Sequence, residues 1–564
     1  MPEYDVLIIG AGLAGQRAAL AAAQSGVSVA VVSKVHPVRS HSVAAAGGIN
    51  AAISVSDDWR SHAYDTVKGS DYLGDQDAIE AMCREAPGEV MHLEHLGVTF
   101  HRNEQGELDL RAFGGASINR TAYVADITGQ AILHVLYEQL LKYSGAIERY
   151  EEWFVTSLIR GEDGGCTGVV ARNVRNGQME TFAAKSVILA SGGAGQCFKP
   201  TTNALICTAD GMAQALHAGA PLMDMEMIQY HPTTLLENGF LITEGARGEG
   251  AHLLNSQGER FMAQSAPNKM ELASRDVVSR AEQTEINEGR GVGPDGAGVY
   301  LDITVVPRKR TLEALREIVN IGRDYAGVDI TRDPIIVRPG QHYIMGGVRT
   351  DIHGRTPIDG LYAAGEVACV SVHGGNRLGA NSLLDTLIFG HRAGEHAAER
   401  ARSTPMPSVS DAQLRADAQM IEQILARPRK GRRVSELKDE LGETMNRHCA
   451  VFRDATGLQS AYDTVKRLQE EAASAYIDDQ GTVFNQDVLG AIELRYMLDA
   501  AEAIVLSAIE RKESRGAQFR TDFPARNDAE WLKHINVRLG ADGEKQLSYS
   551  PVTITQWQPE ERKY

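Results

Sequence analysis

The stretch YDVLIIGAGLAGQRAALAAAQSGVSVAVVSK, residues 4–34, limits the fold more than any other part of the chain. An apolar run, a glycine turn, an alanine-rich segment of helical period and a second apolar run read as strand, turn, helix and strand, the βαβ unit of a dinucleotide fold. Gly10, Gly12 and Gly15 stand in GxGxxG spacing. The first glycine serves the tight turn, the second lets backbone approach a pyrophosphate, and the third lets helix pack on strand, with phosphate at the helix N-terminus. Alone the triplet is a weak signal; following an apolar strand it becomes specific. The second strand ends Ser33-Lys34, where an acidic residue would hold a ribose. Simple NAD binding is therefore disfavoured, although Ser33 could still reach a ribose.

Two later segments repeat the strand-into-glycine pattern: SVILASGGAG at 186–195 and GLYAAGEVA at 360–368, the latter with Glu366 at its end. Three such strand ends imply one α/β, Rossmann-like nucleotide domain interrupted by an insertion. The boundaries expected are 1–226 and 342–402 for that domain, with an α+β capping domain at 227–341 that contains the charged helical patch RKRTLEALREIV. DAQLRADAQMIEQILARP, VSELKDELGETMNRHC, TGLQSAYDTVKRLQEEAASAY and VLGAIELRYMLDAAEAIVLSAIERKESRG all carry helical period and define a helical bundle domain, 403–520. Short strands and loops from TDFPARNDAEW onward form a small C-terminal domain, 521–564. A chain of 564 residues is too long for a single core, in keeping with this division.

The charge balance, 74 acidic against 57 basic residues, argues against nucleic acid and against direct adhesion to anionic lipid. No run of about 18 apolar residues exists, so no direct membrane span is expected, and the N-terminus reads as neither a secretory signal nor a transit peptide. Cys83, Cys166, Cys197, Cys207, Cys369 and Cys449 show no CxxC or ferredoxin-like spacing. They read as reduced thiols in a cytosolic compartment, with no metal site, and any iron–sulfur cluster is expected on another chain.

The remaining question is PVRSHSVAAAGGIN, residues 37–50, a loop of small residues with His41 at its entrance. A histidine there could cap a turn. The wider pattern points elsewhere: GAGLAG, RSHSVAAAGGIN, TADG, QYHPT, ITEGARGEG, ERFM, SRDVVSR, HYIMGG, GLYAAGEVACVSVHGGNRLGANSLLD and ESRGAQFRTDFP occur in this order. Together they resemble the flavoprotein subunits of succinate dehydrogenases and quinol:fumarate reductases, over essentially the whole chain.

The resemblance implies FAD, bound covalently through His41 to the 8α methyl of the isoalloxazine, a link that raises the flavin's potential toward a poor donor such as succinate. Small residues at 44–48 suit a loop whose backbone lies on the ring. The implied flavin positions are Gly10, Ala11, Gly12, Ala14 and Gly15; Ser33 and Lys34; Ser40, His41, Ser42, Ala46, Gly47 and Gly48; Ala190, Ser191 and Gly192; and Asp210, Glu366, Arg377, Ser382 and Leu383. Two departures stand out. Ala46 replaces a usual glutamine, and the region between FGG and ADITG is short, with Gln130 in place of a frequent histidine. His36, His92 and His95 have no motif around them and read as ordinary surface or core histidines.

For the substrate, the resemblance implies that His231 and Thr243 hold one carboxylate of succinate or fumarate, and His342 and Arg377 the other. Twisting one carboxylate out of plane favours transfer between substrate carbon and flavin. The proton falls to Arg275, with Glu244 and Arg247 as relay; an ion-pair network holding the cap closed is a further role open to these groups. Some members carry a thiol-sensitive cysteine before the relay arginine, where this chain has Ala246.

The implied activity is succinate oxidation with electrons passed to an iron–sulfur protein subunit, then through membrane anchor subunits to quinone. The chain would lie peripherally on the cytoplasmic face of the cell membrane, held by those partners. Fumarate reduction shares the site. L-aspartate oxidase, which normally lacks the flavin-linking histidine, and a non-catalytic flavin-bearing scaffold are the other readings.

Overall fold

The structure is a computed structural model that describes residues 1–563. Its centre is a parallel sheet in which the three strand ends read from the sequence lie side by side. Strand Met179–Leu189 pairs in parallel with Glu3–Ile9, matching Ile9 to Leu189. It pairs in parallel with Leu361–Ala363 on its other edge, matching Ala363 again to Leu189. Val29–Ser33 and then Ile147–Glu151 extend the sheet beyond Glu3–Ile9. The near-continuous Val, Ile and Leu of these strands suit a sheet covered on both faces.

Helix Leu13–Gln24 follows the glycine turn and is buried along almost its whole length. Alanine makes that possible, because helix Asn381–Ser403 crosses it at very close range. A Cβ on Gly390 would lie 2.7 Å from the Ala14 carbonyl oxygen, and one on Gly394 would lie 2.3 Å from that of Ala18. The close approach fixes the start of Asn381–Ser403 beside the glycine turn, and so positions Ser382 and Leu383.

Between these elements the chain enters and leaves a four-stranded antiparallel sheet through two paired strands, Ile228–Leu235 and Ile335–Ile344. Val299–Asp302 and His252–Leu254 complete it. This inserted layer has its own apolar core, including Ile242, Leu253, Val278, Leu301 and Ile318.

Helices Ala412–Leu425, Val434–His448, Ala455–Ala472 and Gln486–Glu510 follow. Their core is continuous with that of the sheet: Leu441, Leu468 and Ile504 belong to one cluster with Val169, Phe182 and Leu216. The last helix is shorter than its periodic sequence suggests, stopping at Glu510 ahead of RKESRG. Arg511 and Arg515 beyond it are buried, paired with Glu226 at 2.6 Å and Glu513 at 2.7 Å. Gly516 turns there at φ +54, against the backbone of Gly375.

The C-terminal strand Lys533–Leu539 joins a sheet begun much earlier, pairing with Leu222–Met223 on one side and Lys545–Pro551 on the other. Among the described residues no helix is long and apolar enough to cross a membrane.

Candidate functional site

A single cavity opens at the C-terminal ends of the parallel strands and continues beneath the inserted layer. Its wall carries Gly10, Ala11, Gly12, Ala14, Ser33, Lys34, Ser40, His41, Ser42, Ala46, Gly47 and Gly48 from the first third of the chain. Ala190, Ser191, Gly192, Asp210, Glu366, Ser382 and Leu383 line it further round, and His231, Thr243, Glu244, Arg275, His342 and Arg377 close its far end. Two residues expected at the site lie off the wall. Gly15 packs the helix: a Cβ there would sit 2.0 Å from the Gly10 carbonyl oxygen. Arg247 lies buried behind Glu244.

The glycine turn behaves as its spacing demands. Gly10 has φ +105, and a Cβ on it would meet the Ala190 carbonyl oxygen at 2.2 Å. Beside it, Lys34 donates to Asp210 at 2.7 Å, Thr208 at 2.8 Å and Glu493 at 2.9 Å, so its charge is already paired. The Ser33 hydroxyl donates to the Val35 carbonyl at 2.5 Å and can offer a ribose only its lone pairs. Glu366 accepts from the Ile344 N–H at 3.1 Å, and burial pushes its carboxyl up to about 7.

His41 is half-buried on the cavity wall. Its Nδ1 accepts from the Ala204 N–H at 3.3 Å, leaving Nε2 as the ring nitrogen without a protein partner. Burial pushes the imidazole down to about 4, so it stays neutral at neutral pH. The adjoining loop is pinned by Arg111, which donates to the carbonyls of Ala46 at 3.0 Å and Gly47 at 2.9 Å. Sequence reasoning passes over Arg111, since a lone arginine before FGG carries no signal of its own.

At the far end, strands Ile228–Leu235 and Ile335–Ile344 bring His231 and His342 together, ring centres 4.9 Å apart. His231 Nδ1 accepts from the Thr233 N–H at 3.2 Å, and His342 Nδ1 pairs with the Thr202 hydroxyl at 2.8 Å. Burial, then the nearby guanidinium of Arg275, holds both rings well below the usual histidine value. Two neutral imidazoles therefore keep Nε2 for a ligand. Thr243 caps the short helix Glu244–Gly248, its oxygen accepting from the Gly245 N–H at 3.2 Å and its proton left to donate.

Arg275 starts helix Arg275–Asn287. Its Nε donates to Glu244 at 2.7 Å and its NH1 to Gln229 Oε1 at 3.0 Å. Gln229 in turn donates to the Arg377 carbonyl at 2.7 Å and to Asn376 at 3.0 Å, tying both arginine segments together. Gln229 likewise escapes sequence reasoning, although it opens the quoted QYHPT. Burial pushes the Glu244 carboxyl up, but Arg275 and Arg247 outweigh it and hold the group below the ordinary range. Arg377 lies over the Tyr343 ring at 4.7 Å with its Nε unpartnered. Burial and the like charge of Arg275 press it down to about 9, a pressure that a bound anion relieves.

Three buried guanidiniums thus face one carboxylate. Uncompensated buried charge costs several kcal/mol per ion, so the arrangement favours a ligand with two negative charges. The other end suits a dinucleotide flavin: a glycine-lined turn, the open N–H groups of helix Asn381–Ser403, and the buried, unpartnered hydroxyl of Ser40.

Residues 5–383 match the family described as FAD binding domain, and residues 438–564 match fumarate reductase flavoprotein C-term. The chain is 44% identical to the succinate dehydrogenase flavoprotein subunit of Rickettsia bellii, covering 98% of this chain and 96% of that relative. It is 45% identical to a fumarate reductase flavoprotein subunit of Mycobacterium tuberculosis, covering 100% and 99%. Among solved structures, a quinol-fumarate reductase with menaquinol molecules superposes with a TM-score of 0.96 at 40% identity, covering 99% of this chain and 100% of that one.

Proposed function

The chain belongs to the family of succinate dehydrogenase and fumarate reductase flavoprotein subunits, and from that membership we propose that it is the catalytic subunit of a succinate:quinone oxidoreductase. It oxidises succinate to fumarate at FAD held covalently through His41. The observation that carries this reading is the joining of a glycine-lined cavity to a site of three guanidiniums and one carboxylate. FAD, when bound, supplies the two-electron acceptor.

The protein's own side chains do the rest. His231 Nε2 and the Thr243 hydroxyl bind one carboxylate; His342 Nε2 and Arg377 bind the other, charge-assisted and out of water. Four donors at two fixed places orient the dicarboxylate and hold one carboxylate turned from the plane, which favours loss of hydride from the adjoining carbon. Arg275 faces the same space and takes the substrate's proton as it gives one of its own to Glu244. Its pKa is lowered from the ordinary guanidinium value, chiefly by burial. Glu244, bonded to Arg275 and beside Arg247, passes that proton on. In reverse, Arg275 donates to fumarate, so one constellation serves both directions.

Electrons leave toward an iron–sulfur protein subunit, and membrane anchor subunits deliver them to quinone. Contact with the cytoplasmic face of the membrane then comes through those partners. Two measurements test the reading. An acid-soaked denaturing gel of the native-source protein should show a flavin-fluorescent band at 61.1 kDa, lost in His41→Ala. The native complex should reduce a dye in the presence of succinate, with malonate competing; absence of succinate-dependent reduction refutes the activity.

A further inference from the structure

Glu282 lies on helix Arg275–Asn287, seven residues and so about two turns beyond Arg275, on the same face. It is 0% exposed, and neither carboxyl oxygen has a hydrogen-bond partner. Val278 and Ala281 beside it belong to the apolar core of the inserted layer, where a leucine or isoleucine would serve packing without loss. An unpaired buried polar group forfeits its hydration with nothing in return. Packing therefore does not account for an acid at this position.

A second buried group with unused donors lies within its electrostatic reach. Arg247, also fully buried, uses NH1 on the Glu271 carbonyl at 2.6 Å; its Nε and NH2 make no hydrogen bond, NH2 lying 3.7 Å from Glu244 Oε2. Burial holds the Glu282 carboxyl well above the usual carboxylate range, and Arg247 is the charged group that opposes this. One turn further along the helix, Glu285 pairs at 2.6 Å with Arg290, whose side chain is 29% exposed.

We propose that Glu282 is the next member of the proton path after Arg247, carrying protons between the buried dicarboxylate site and solvent. The proposal rests on the oxidoreductase reading above. A neutral carboxyl offers one O–H donor and one acceptor oxygen. A proton leaving Arg247 binds the acceptor oxygen as the hydroxyl proton departs outward past Glu285, so Glu282 is neutral before and after. For each succinate oxidised, one proton reaches Arg247 from Glu244 and one leaves it for Glu282; fumarate reduction runs the same transfers inward. A water bridging the two groups would complete the step, as enclosed polar groups commonly require.

The test uses the native complex, with Glu282→Gln, Glu282→Leu and Glu282→Asp beside the wild type, in succinate-dependent dye reduction. Wild-type inactivity would refute the functional reading itself and is read first. With an active wild type, the Gln and Leu variants should retain the KM for succinate and the affinity for malonate. Their kcat should fall roughly tenfold to a hundredfold, as for loss of a proton-transfer group, and the solvent isotope effect should rise. Asp should restore part of the rate. Gln is isosteric with the neutral acid and Leu suits the apolar surroundings, so at least one is expected to assemble. Unchanged kcat in both overturns the proposal, as does a fall in kcat accompanied by loss of malonate binding.

Discussion

Arg275 donates from Nε to Oε2 of Glu244 at 2.7 Å, while the Gly114 N–H donates to Oε1 at the same distance. Both oxygens of one buried carboxylate are thus fixed, one by the arginine assigned to the proton and one by the backbone of the cofactor layer. Glu244→Ala leaves three guanidiniums unopposed. Removing one partner of a buried pair costs about 3–5 kcal/mol, so thermal unfolding should begin markedly earlier. kcat should fall on the order of a hundredfold or more, and a kcat near wild type would remove Glu244 from the relay. Because the folded carboxyl is held below its ordinary 4.5, the contribution of the pair is complete above that value. It fades only as pH falls toward the lower folded value, so loss of activity from this cause belongs on the acid limb.

Arg562, near the C-terminus, spans two layers: it meets Asp276 at 2.7 Å and Asp71 at 3.0 Å. Asp276 neighbours Arg275 at the start of its helix, whereas Asp71 belongs to the flavin-binding part. Arg562→Ala should loosen the inserted layer over the substrate. The expected result is a KM for succinate raised several-fold, with covalent flavin content unchanged. Steady-state kinetics decide it, and an unaltered KM would reduce Arg562 to a surface tether.

Much of this arrangement is legible in the amino-acid sequence. The GxGxxG turn and the three strand ends follow from apolar runs and glycines, because strand burial and tight turns leave few alternatives. Arg275, Arg377, His231 and His342 can be named from motifs. Their contacts cannot, since they arise from segments far apart along the chain. Gln229 and Arg111 escape for that reason, each acting through long-range contacts. Gly15, expected on the cofactor wall, is a packing residue. The helix expected to run through ERKESRG ends at Glu510, because periodicity cannot reveal that the following arginines are buried with partners.

His534 sits between Asp224 at 2.7 Å and Asp75 at 3.3 Å, joining the C-terminal strand to the flavin-binding part. Burial pushes its imidazole down, but the two carboxylates prevail and hold it up at about 10. A raised folded value means the stabilisation is complete below the ordinary 6.5 and disappears as pH rises through about 10. Thermal midpoints of the wild type should fall across that window more steeply than those of His534→Gln. Parallel profiles would show that the charge does not stabilise the joint.

Thiol chemistry supplies the last expectation. All six cysteines are buried, and burial pushes their thiols upward, those of Cys166, Cys197 and Cys449 to about 12. The thiolate is the nucleophile, so maleimide should find little to attack at neutral pH. The position before Arg247 is the buried Ala246. N-ethylmaleimide should therefore leave succinate-dependent dye reduction intact, while Ala246→Cys, which places a thiol next to Arg247 in sequence, should create a sensitivity that malonate blocks. Rapid inactivation of the wild type, prevented by malonate, would contradict this. It would direct attention to Cys207, a cysteine on the wall of the flavin cavity, whose thiol burial also pushes up.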